Sequence, residues 1–207
     1  MPPSQQAPYM LDGIPAVRFG DAIAFLDVGG DSYSCLYDPA GRPGADILPD
    51  ARAVEGASSP TTAGIRQWQD LPKTDAKVRL CDVRHFVSAL IVASFRFRSR
   101  DFAGLLGTDI IGERNRAAPS NDEVADLVTR FEAMSLLLPF PMLCLFRSFF
   151  LLQFLARRGH TADWVFGVTL FPFRAHCWLA IGDTLVGETS RRAAEYSLIL
   201  VRVDERS

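Results

Sequence analysis

The chain has 207 residues, of which 48% are hydrophobic and 22% are charged, and its formal net charge is −2 at pH 7. This length can bury one ordinary core together with a small second module, and the weak negative charge gives no general reason to expect nucleic acid as a partner. The four cysteines show no framework spacing, which argues against a disulfide scaffold, and the N-terminus lacks a basic segment followed by an apolar one. We therefore expect a cytoplasmic protein with free thiols and no membrane association.

The first third of the chain predicts a small β-rich module. Residues 1–10 are rich in Pro, Ser and Gln, which is typical of a disordered tail. The segments AVRFG, AIAFLDV and SYSCLY then predict three short strands, with Gly20 and the Gly29-Gly30 pair marking the turns between them. Farther on, residues 65–71 predict a short helix.

Two helices are expected in the middle of the chain. Apolar residues recur at helical spacing over residues 82–106, and the glycine-containing segment 104–112 should loosen or end that helix. Ser120 and Glu123 form a capping box, which predicts a second helix with one apolar stripe. Both helices are expected to be structural and to form a wall for the helix that follows.

The segment 136–156 is apolar apart from Arg147 and is nearly long enough to span a membrane. Two prolines near its start and the polar Ser148 and Gln153 favour a buried helix instead. Because proline suits the first turn of a helix but not its interior, the helix should begin between Pro141 and Cys144. That position gives the Cys144 thiol unpaired backbone N–H groups and the positive end of the helix dipole, which favour the nucleophilic thiolate. Free cysteine is also among the most buried residue types, so a cysteine in this position, taken alone, is more often core than nucleophile.

The stretch after this helix predicts an antiparallel sheet that carries a histidine and an acid. Strands are expected over residues 163–169, 174–181, 184–188 and 196–203, with the helices on one side, which gives an α+β fold. His176 lies on the second of these strands and Glu188 ends the third. A cysteine on a helix, a histidine on a strand and then an acid is the chain order of papain-like and transglutaminase-like sites.

The run PMLCLFRSFFLLQFLARRGHTADWVFGV, followed by PFRAHCWLAIGDTLVGE and YSLILV, resembles the lasso-peptide leader peptidase family of transglutaminase-like cysteine peptidases. The resemblance is close over about residues 83–203 and weaker before them. It implies removal of the leader from a lasso-peptide precursor, without a cofactor or metal. It also implies a partner, an asparagine-synthetase-like cyclase that closes the macrolactam ring of the freed core peptide.

The resemblance further implies two modules. Residues 11–75 would form a winged-helix-like leader-recognition module, and residues 80–207 the peptidase domain. The segment GDAIAFLDVGGDSYSCL is similar to the strand hairpin of that module, where the leader would add as a strand. The residues expected to bind the peptide are Phe25, Asp27, Tyr33 and Leu36. Alternatively, these strands only cover the catalytic core.

The candidate catalytic residues are Cys144 as nucleophile, His176 as acid and base, and Glu188 as the acid that orients the imidazole. The family more often has aspartate at the position of Glu188, so Asp183 is the reserve candidate. Trp178 lies two residues beyond His176 and could shield the ion pair from water, or it could be plain core.

The hairpin that carries the acid offers a geometric test. A two-residue turn at Gly182-Asp183 would place Glu188 opposite Cys177 and point it away from His176. The sequence therefore predicts an odd loop or a bulge in this hairpin.

Two other interpretations concern the chemistry. Cys81 and His85 lie one helical turn apart and could join His176 and Cys177 around zinc, although no CxxC pair or HExxH motif accompanies them. The same thioester chemistry would also serve an acyl transferase of transglutaminase type, and a non-catalytic leader-binding scaffold is a further alternative.

Overall fold

The computed structural model describes residues 9–11, 14–37, 67–99, 101–107 and 120–202. Two four-stranded antiparallel sheets and a layer of helices make up this part of the chain, which confirms the α+β fold expected from the sequence. The helical half expected for an N-terminal winged-helix-like module falls mainly on residues 38–66, which lie outside the described residues.

The N-terminal sheet consists of β1 (Tyr9–Leu11), β2 (Ile14–Phe19), β3 (Ala22–Asp27) and β4 (Ser32–Tyr37), in that spatial order. The three strands and two turns expected from Ile14 onward are confirmed. The prediction of disorder up to residue 10 is wrong for Tyr9 and Met10, because β1 pairs with β2 through the backbone, which composition does not reveal.

The two faces of this sheet bury different side chains, as the alternation of a strand requires. Val17, Ala24 and Leu26 belong to the main hydrophobic core, together with residues of the helices and the second sheet. The opposite face carries a separate small cluster: Ile14, Ala16, Ile23 and Phe25. The N-terminal sheet is therefore packed into the core of the rest of the protein rather than beside it.

The helices are α1 (Leu80–Ser99), α2 (Phe102–Leu106), α3 (Asn121–Ser135), α4 (Cys144–Ala156) and the short α5 (Ser190–Ala193). The single helix expected over residues 82–106 is wrong, since α2 has its own N-cap: Asp101 Oδ1 accepts the Gly104 N–H at 2.8 Å. The N-cap expected at Ser120 is confirmed, with Oγ accepting the Glu123 N–H at 3.2 Å.

The second sheet contains β5 (Asp163–Thr169), β6 (Arg174–Ile181), β7 (Thr184–Val186) and β8 (Ser197–Arg202) in the order β7-β6-β5-β8. Every neighbouring pair is antiparallel, as expected. Helix α4 packs against β6, and nine of its thirteen residues, Ser148 to Ala156, are buried.

The helix expected over residues 65–71 is absent from the described residues 67–71. Gln69 instead forms a parallel bridge to Thr184 at the edge of the second sheet. Its N–H donates to the Asp183 carbonyl at 2.9 Å, and its carbonyl accepts the Leu185 N–H at 2.8 Å. Backbone pairing with a distant strand has overridden the local helical pattern.

No helix in the described part of the chain is long and apolar enough to cross a membrane. Helix α4 occupies only the second half of the apolar segment 136–156, and it is buried within the protein.

Candidate active site

Cys144 is the first residue of α4, as the two prolines before it predict. The N-cap residue is Leu143, which has no polar side chain with which to cap the helix. The first backbone N–H groups of α4 therefore lack intrahelical partners and stand beside a half-buried thiol. This local geometry favours negative charge on the sulfur and on an oxyanion formed next to it.

His176 on β6 lies between Cys144 and an acid. Its Nε2 donates to Glu188 Oε2 at 2.6 Å, and the two side chains are only 10% and 11% exposed. The imidazole also hydrogen-bonds the Cys144 side chain, which leaves Nδ1 as the ring nitrogen on the sulfur side. The other carboxylate oxygen of Glu188 accepts the Thr189 N–H at 2.9 Å, so both oxygens of the carboxylate are hydrogen-bonded.

The β6–β7 hairpin has a different turn from the one expected from the sequence. The turn at Gly182-Asp183 is a tight two-residue turn, since Ile181 pairs with Thr184 in a regular ladder. The prediction of an odd loop or bulge in the hairpin is therefore wrong. Strand β7 ends at Val186, and the next residue, Gly187, has φ +72°, which breaks the alternation of side chains and turns Glu188 toward His176.

Gly187 is fixed in two further ways. A Cβ at this position would lie 2.9 Å from Leu151 Cδ2, so any larger residue would require the buried Leu151 side chain of α4 to move. Its carbonyl accepts a hydrogen bond from Arg147 Nη1 at 3.1 Å, and Arg147 also pairs with Glu132 on α3. Arg147 thus connects the helix that carries Cys144 to the segment that carries Glu188. Sequence reasoning used Arg147 only as evidence against a membrane span, although one charge on a buried apolar helix already signals a specific partner.

Asp183, the reserve acid, lies in the exposed hairpin turn, where its main-chain carbonyl contacts Gln69. The structure therefore brings Glu188 rather than Asp183 to the imidazole.

Aromatic rings cover the other side of His176. The ring centroids of Trp178 and Tyr196 lie 5.8 and 5.3 Å from that of His176, and both aromatic side chains are buried. Gly167 faces His176 across the β5–β6 ladder, and a Cβ there would lie 2.8 Å from the Trp178 ring. Trp178 was singled out from the sequence, whereas Tyr196 was read only as the start of a strand.

These surroundings shift the ionisation of all three groups. Hydrogen bonds from Cys177 and then from His176 lower the pKa of Cys144 to about 4 against the opposing effect of burial. Burial lowers the pKa of His176, but hydrogen bonds to Cys144 and Glu188 outweigh it and raise the pKa to about 9. Burial likewise raises the pKa of Glu188, while the hydrogen bonds from His176 and Thr189 bring it below its usual value. A thiolate–imidazolium pair therefore exists over a wide range around neutral pH.

The four residues expected to bind the peptide occupy different positions in the N-terminal sheet. Phe25 is only 5% exposed and belongs to the small cluster, and Asp27 Oδ1 accepts the Gly30 N–H of the following turn at 2.9 Å. Tyr33 and Leu36 lie on β4, an edge strand among the described strands, and they face opposite sides of the sheet. Burial leaves Phe25 little surface for a peptide, whereas the edge strand is accessible.

Tyr33 is the member of this set that reaches the candidate site. Its ring lies 5.8 Å from that of Phe173, which precedes β6 and His176. Burial, followed by the nearby charges of Cys177 and Cys144, raises the pKa of Tyr33. Edge strand β4 therefore lies near Cys144.

Large apolar side chains are exposed on the two loops that lead into Cys144 and His176. Leu143 is 78% exposed and directly precedes the nucleophile, and Phe171 is 88% exposed in the turn before β6. Phe140 and Phe173 are also exposed. An apolar surface beside a candidate nucleophile suits a peptide segment with apolar side chains.

The described residues do not bring the zinc candidates together. Cys81 and His85 on α1 contact Arg158, whereas Cys177 lies against Ser148 in the core. No group of three or more His, Cys, Asp or Glu side chains that could hold a metal occurs in the part of the chain that the structure describes.

Comparison with known proteins gives one match. The family model described as "Transglutaminase-like superfamily" matches residues 89–201, which is more than half of the chain and includes Cys144, His176 and Glu188. No curated protein and no solved structure matches the sequence significantly.

Proposed function

Because the chain belongs to the transglutaminase-like superfamily, whose members are typically enzymes with a catalytic cysteine, we propose that it is a cysteine peptidase that removes the leader from a lasso-peptide precursor. The observation that carries the proposal is the arrangement of Cys144 at a helix N-terminus with His176 and Glu188, the last two joined at 2.6 Å. The family resemblance of the surrounding sequence supplies the substrate class.

In the first half of the reaction, the Cys144 thiolate attacks the carbonyl carbon of the scissile peptide bond. The backbone N–H of Cys144, which has no intrahelical partner, would donate to the oxyanion that forms. His176 then gives its Nδ1 proton to the departing amine, the C–N bond breaks, and a thioester remains on Cys144. The Glu188 carboxylate stabilises the imidazolium until that proton leaves.

In the second half, neutral His176 takes a proton from water, and the resulting hydroxide attacks the thioester carbonyl. The C–S bond breaks, the leader leaves with a new carboxylate, and the thiolate–imidazolium pair is restored. Buried Trp178 and Tyr196 keep bulk water from one face of the imidazole during this cycle.

The position of β4 supports leader binding by strand addition. An extended leader along this edge would make main-chain hydrogen bonds to β4, and the Tyr33–Phe173 contact joins that strand to the loop before His176. We assign residues 11–75 to leader recognition and residues 80–207 to catalysis, with an asparagine-synthetase-like cyclase as the partner that receives the core peptide. The shared hydrophobic core would hold the two parts in a fixed relation.

An amine could resolve the same thioester, which would make the protein an acyl transferase. Incubation of a lasso-peptide precursor with the purified protein, followed by mass spectrometry, separates these outcomes. Hydrolysis yields free leader and core whose summed mass exceeds that of the precursor by one water, and the products do not change when a primary amine is added. A leader product whose mass exceeds that of the hydrolysed leader by the amine minus one water would instead identify acyl transfer.

The matched variants are Cys144→Ala and Cys81→Ala, the second of which removes an exposed thiol on α1 outside the site. We expect Cys144→Ala to abolish product formation and Cys81→Ala to retain it. Full processing by Cys144→Ala would overturn the peptidase proposal and favour a non-catalytic leader-binding scaffold.

A further inference from the structure

Cys177 directly follows His176 on β6, so its side chain projects to the opposite face of the sheet. That face packs against α4, and Cys177 is only 5% exposed there. The Cys144 side chain at the start of α4 nevertheless hydrogen-bonds both of these consecutive residues, the thiol of Cys177 and the imidazole of His176.

A buried hydrogen-bond chain fixes this second side. Trp164 Nε1 donates to Ser148 Oγ at 2.8 Å, and Ser148 Oγ lies 3.3 Å from Cys177 Sγ. Ser148 is one helical turn after Cys144, and its hydroxyl donates to the Cys144 carbonyl at 2.8 Å. Ser148, the middle member of this chain, thus ties Trp164 and Cys177 to the first turn of α4, which carries Cys144.

The S–H of Cys177 has two possible acceptors in this arrangement. One is the neutral Ser148 oxygen, whose own proton is used on the Cys144 carbonyl, and the other is the Cys144 sulfur, with which Cys177 also hydrogen-bonds. A charged acceptor forms the stronger hydrogen bond, so the proton belongs on the Cys144 side whenever Cys144 is a thiolate. The hydrogen bond to Cys144 and then burial raise the pKa of Cys177 well above its usual value, which keeps it a donor.

We propose that Cys177 is a positioning residue for the nucleophile: its thiol donates a hydrogen bond to the Cys144 thiolate, and the Ser148–Trp164 pair holds it in place. This inference rests on Cys144 being the nucleophile of the proposed function. It gives the resting thiolate a side-chain donor in addition to His176 and the backbone N–H of Cys177.

The pH dependence of Cys144 alkylation by iodoacetamide tests this role without any peptide substrate. Full-length wild type, Cys177→Ala, Cys177→Ser and the control Cys81→Ala are compared, with the modified residue identified by peptide mapping. Loss of one hydrogen bond to a charged group should move the midpoint of the alkylation curve upward by about one to two pH units in Cys177→Ala. Serine retains an O–H donor, so Cys177→Ser should stay near wild type, as should Cys81→Ala.

The inference is overturned if the curve of Cys177→Ala superimposes on that of wild type, or if serine fails to restore the wild-type midpoint. A second measurement uses only the wild-type protein and so does not depend on the folding of a variant. The infrared S–H stretching band of Cys177 should move to higher frequency when Cys144 is alkylated, because the charged acceptor is lost. An unchanged band would also refute the proposal. Neither readout requires peptide cleavage, so the role of Cys177 is tested separately from the proposed peptidase activity.

Discussion

Glu188→Gln is the substitution that probes the proposed catalytic arrangement most selectively. Glutamine keeps the length and shape of the side chain and can still accept a hydrogen bond from His176 Nε2, but it carries no charge. The wild-type contact is short, at 2.6 Å, and both side chains are about nine-tenths buried, so solvent screens the charge weakly. The substitution therefore removes mainly the stabilisation of the imidazolium.

The expected loss follows from the strength of such contacts. A hydrogen bond to a charged group contributes about 1.5–3 kcal/mol, and a neutral one is roughly half as strong. Glu188→Gln should therefore cost about 1–1.5 kcal/mol, which lowers kcat roughly tenfold. The carboxylate helps to raise the pKa of His176 to about 9, so its loss makes the imidazolium give up its proton at lower pH. The alkaline limb of the pH–rate profile should move to lower pH as a result.

The assay is the initial rate of precursor cleavage as a function of pH, followed by chromatography of the leader and core. Asp183→Asn is the matched control, because it removes an exposed carboxylate five residues away in the hairpin turn and should leave both the rate and the profile unchanged. The reasoning is refuted if Glu188→Gln leaves the alkaline limb in place, or if Asp183→Asn causes the larger loss.

Two further predictions concern Gly187 and Tyr33. Gly187→Ala places a Cβ at a residue with φ +72° and against Leu151 of α4. Gly182→Ala is the control, because its Cβ meets open space at a similar φ of +57° and should lower the free energy of unfolding by only about 1–2 kcal/mol. Gly187→Ala should lower the free energy of unfolding by more than this. Chemical denaturation measures both variants, and equal losses would contradict the close approach to α4. Tyr33→Ala removes the contact with Phe173 beside the site, so steady-state kinetics should show a raised KM for the full precursor; a KM equal to that of wild type would argue against a path from β4 to the nucleophile.

Local sequence rules accounted for the position of Cys144 and for most of the sheet that carries His176. Pro139 and Pro141 restrict where α4 can begin, and the helix starts at Cys144 as those prolines require. The alternating and apolar runs around His176 predicted β5 and β6 with the bounds that the structure has. These features depend on neighbouring residues only, which is why a single sequence reveals them.

The features that the sequence did not reveal depend on contacts between distant segments. The β6–β7 register set by the turn at Gly182-Asp183 would, if β7 continued, point the Glu188 side chain away from His176. Strand β7 ends before that residue, and the positive φ of Gly187 turns Glu188 toward His176. Gln69 joins the second sheet although its neighbourhood has a helical pattern. Arg147 and Tyr196 acquire their places at the site through tertiary packing, which no periodicity encodes.

The central claim is that Cys144 and His176 form a thiolate–imidazolium pair at neutral pH. The rate of Cys144 alkylation by iodoacetamide, measured against pH in wild type and in His176→Ala, tests it most directly. The account predicts that wild-type Cys144 is fully reactive at neutral pH and loses reactivity only as the pH falls toward about 4, whereas His176→Ala reacts much more slowly at neutral pH. A wild-type rate that rises only through the ordinary thiol range near about 8.5, with His176→Ala unchanged, would contradict it.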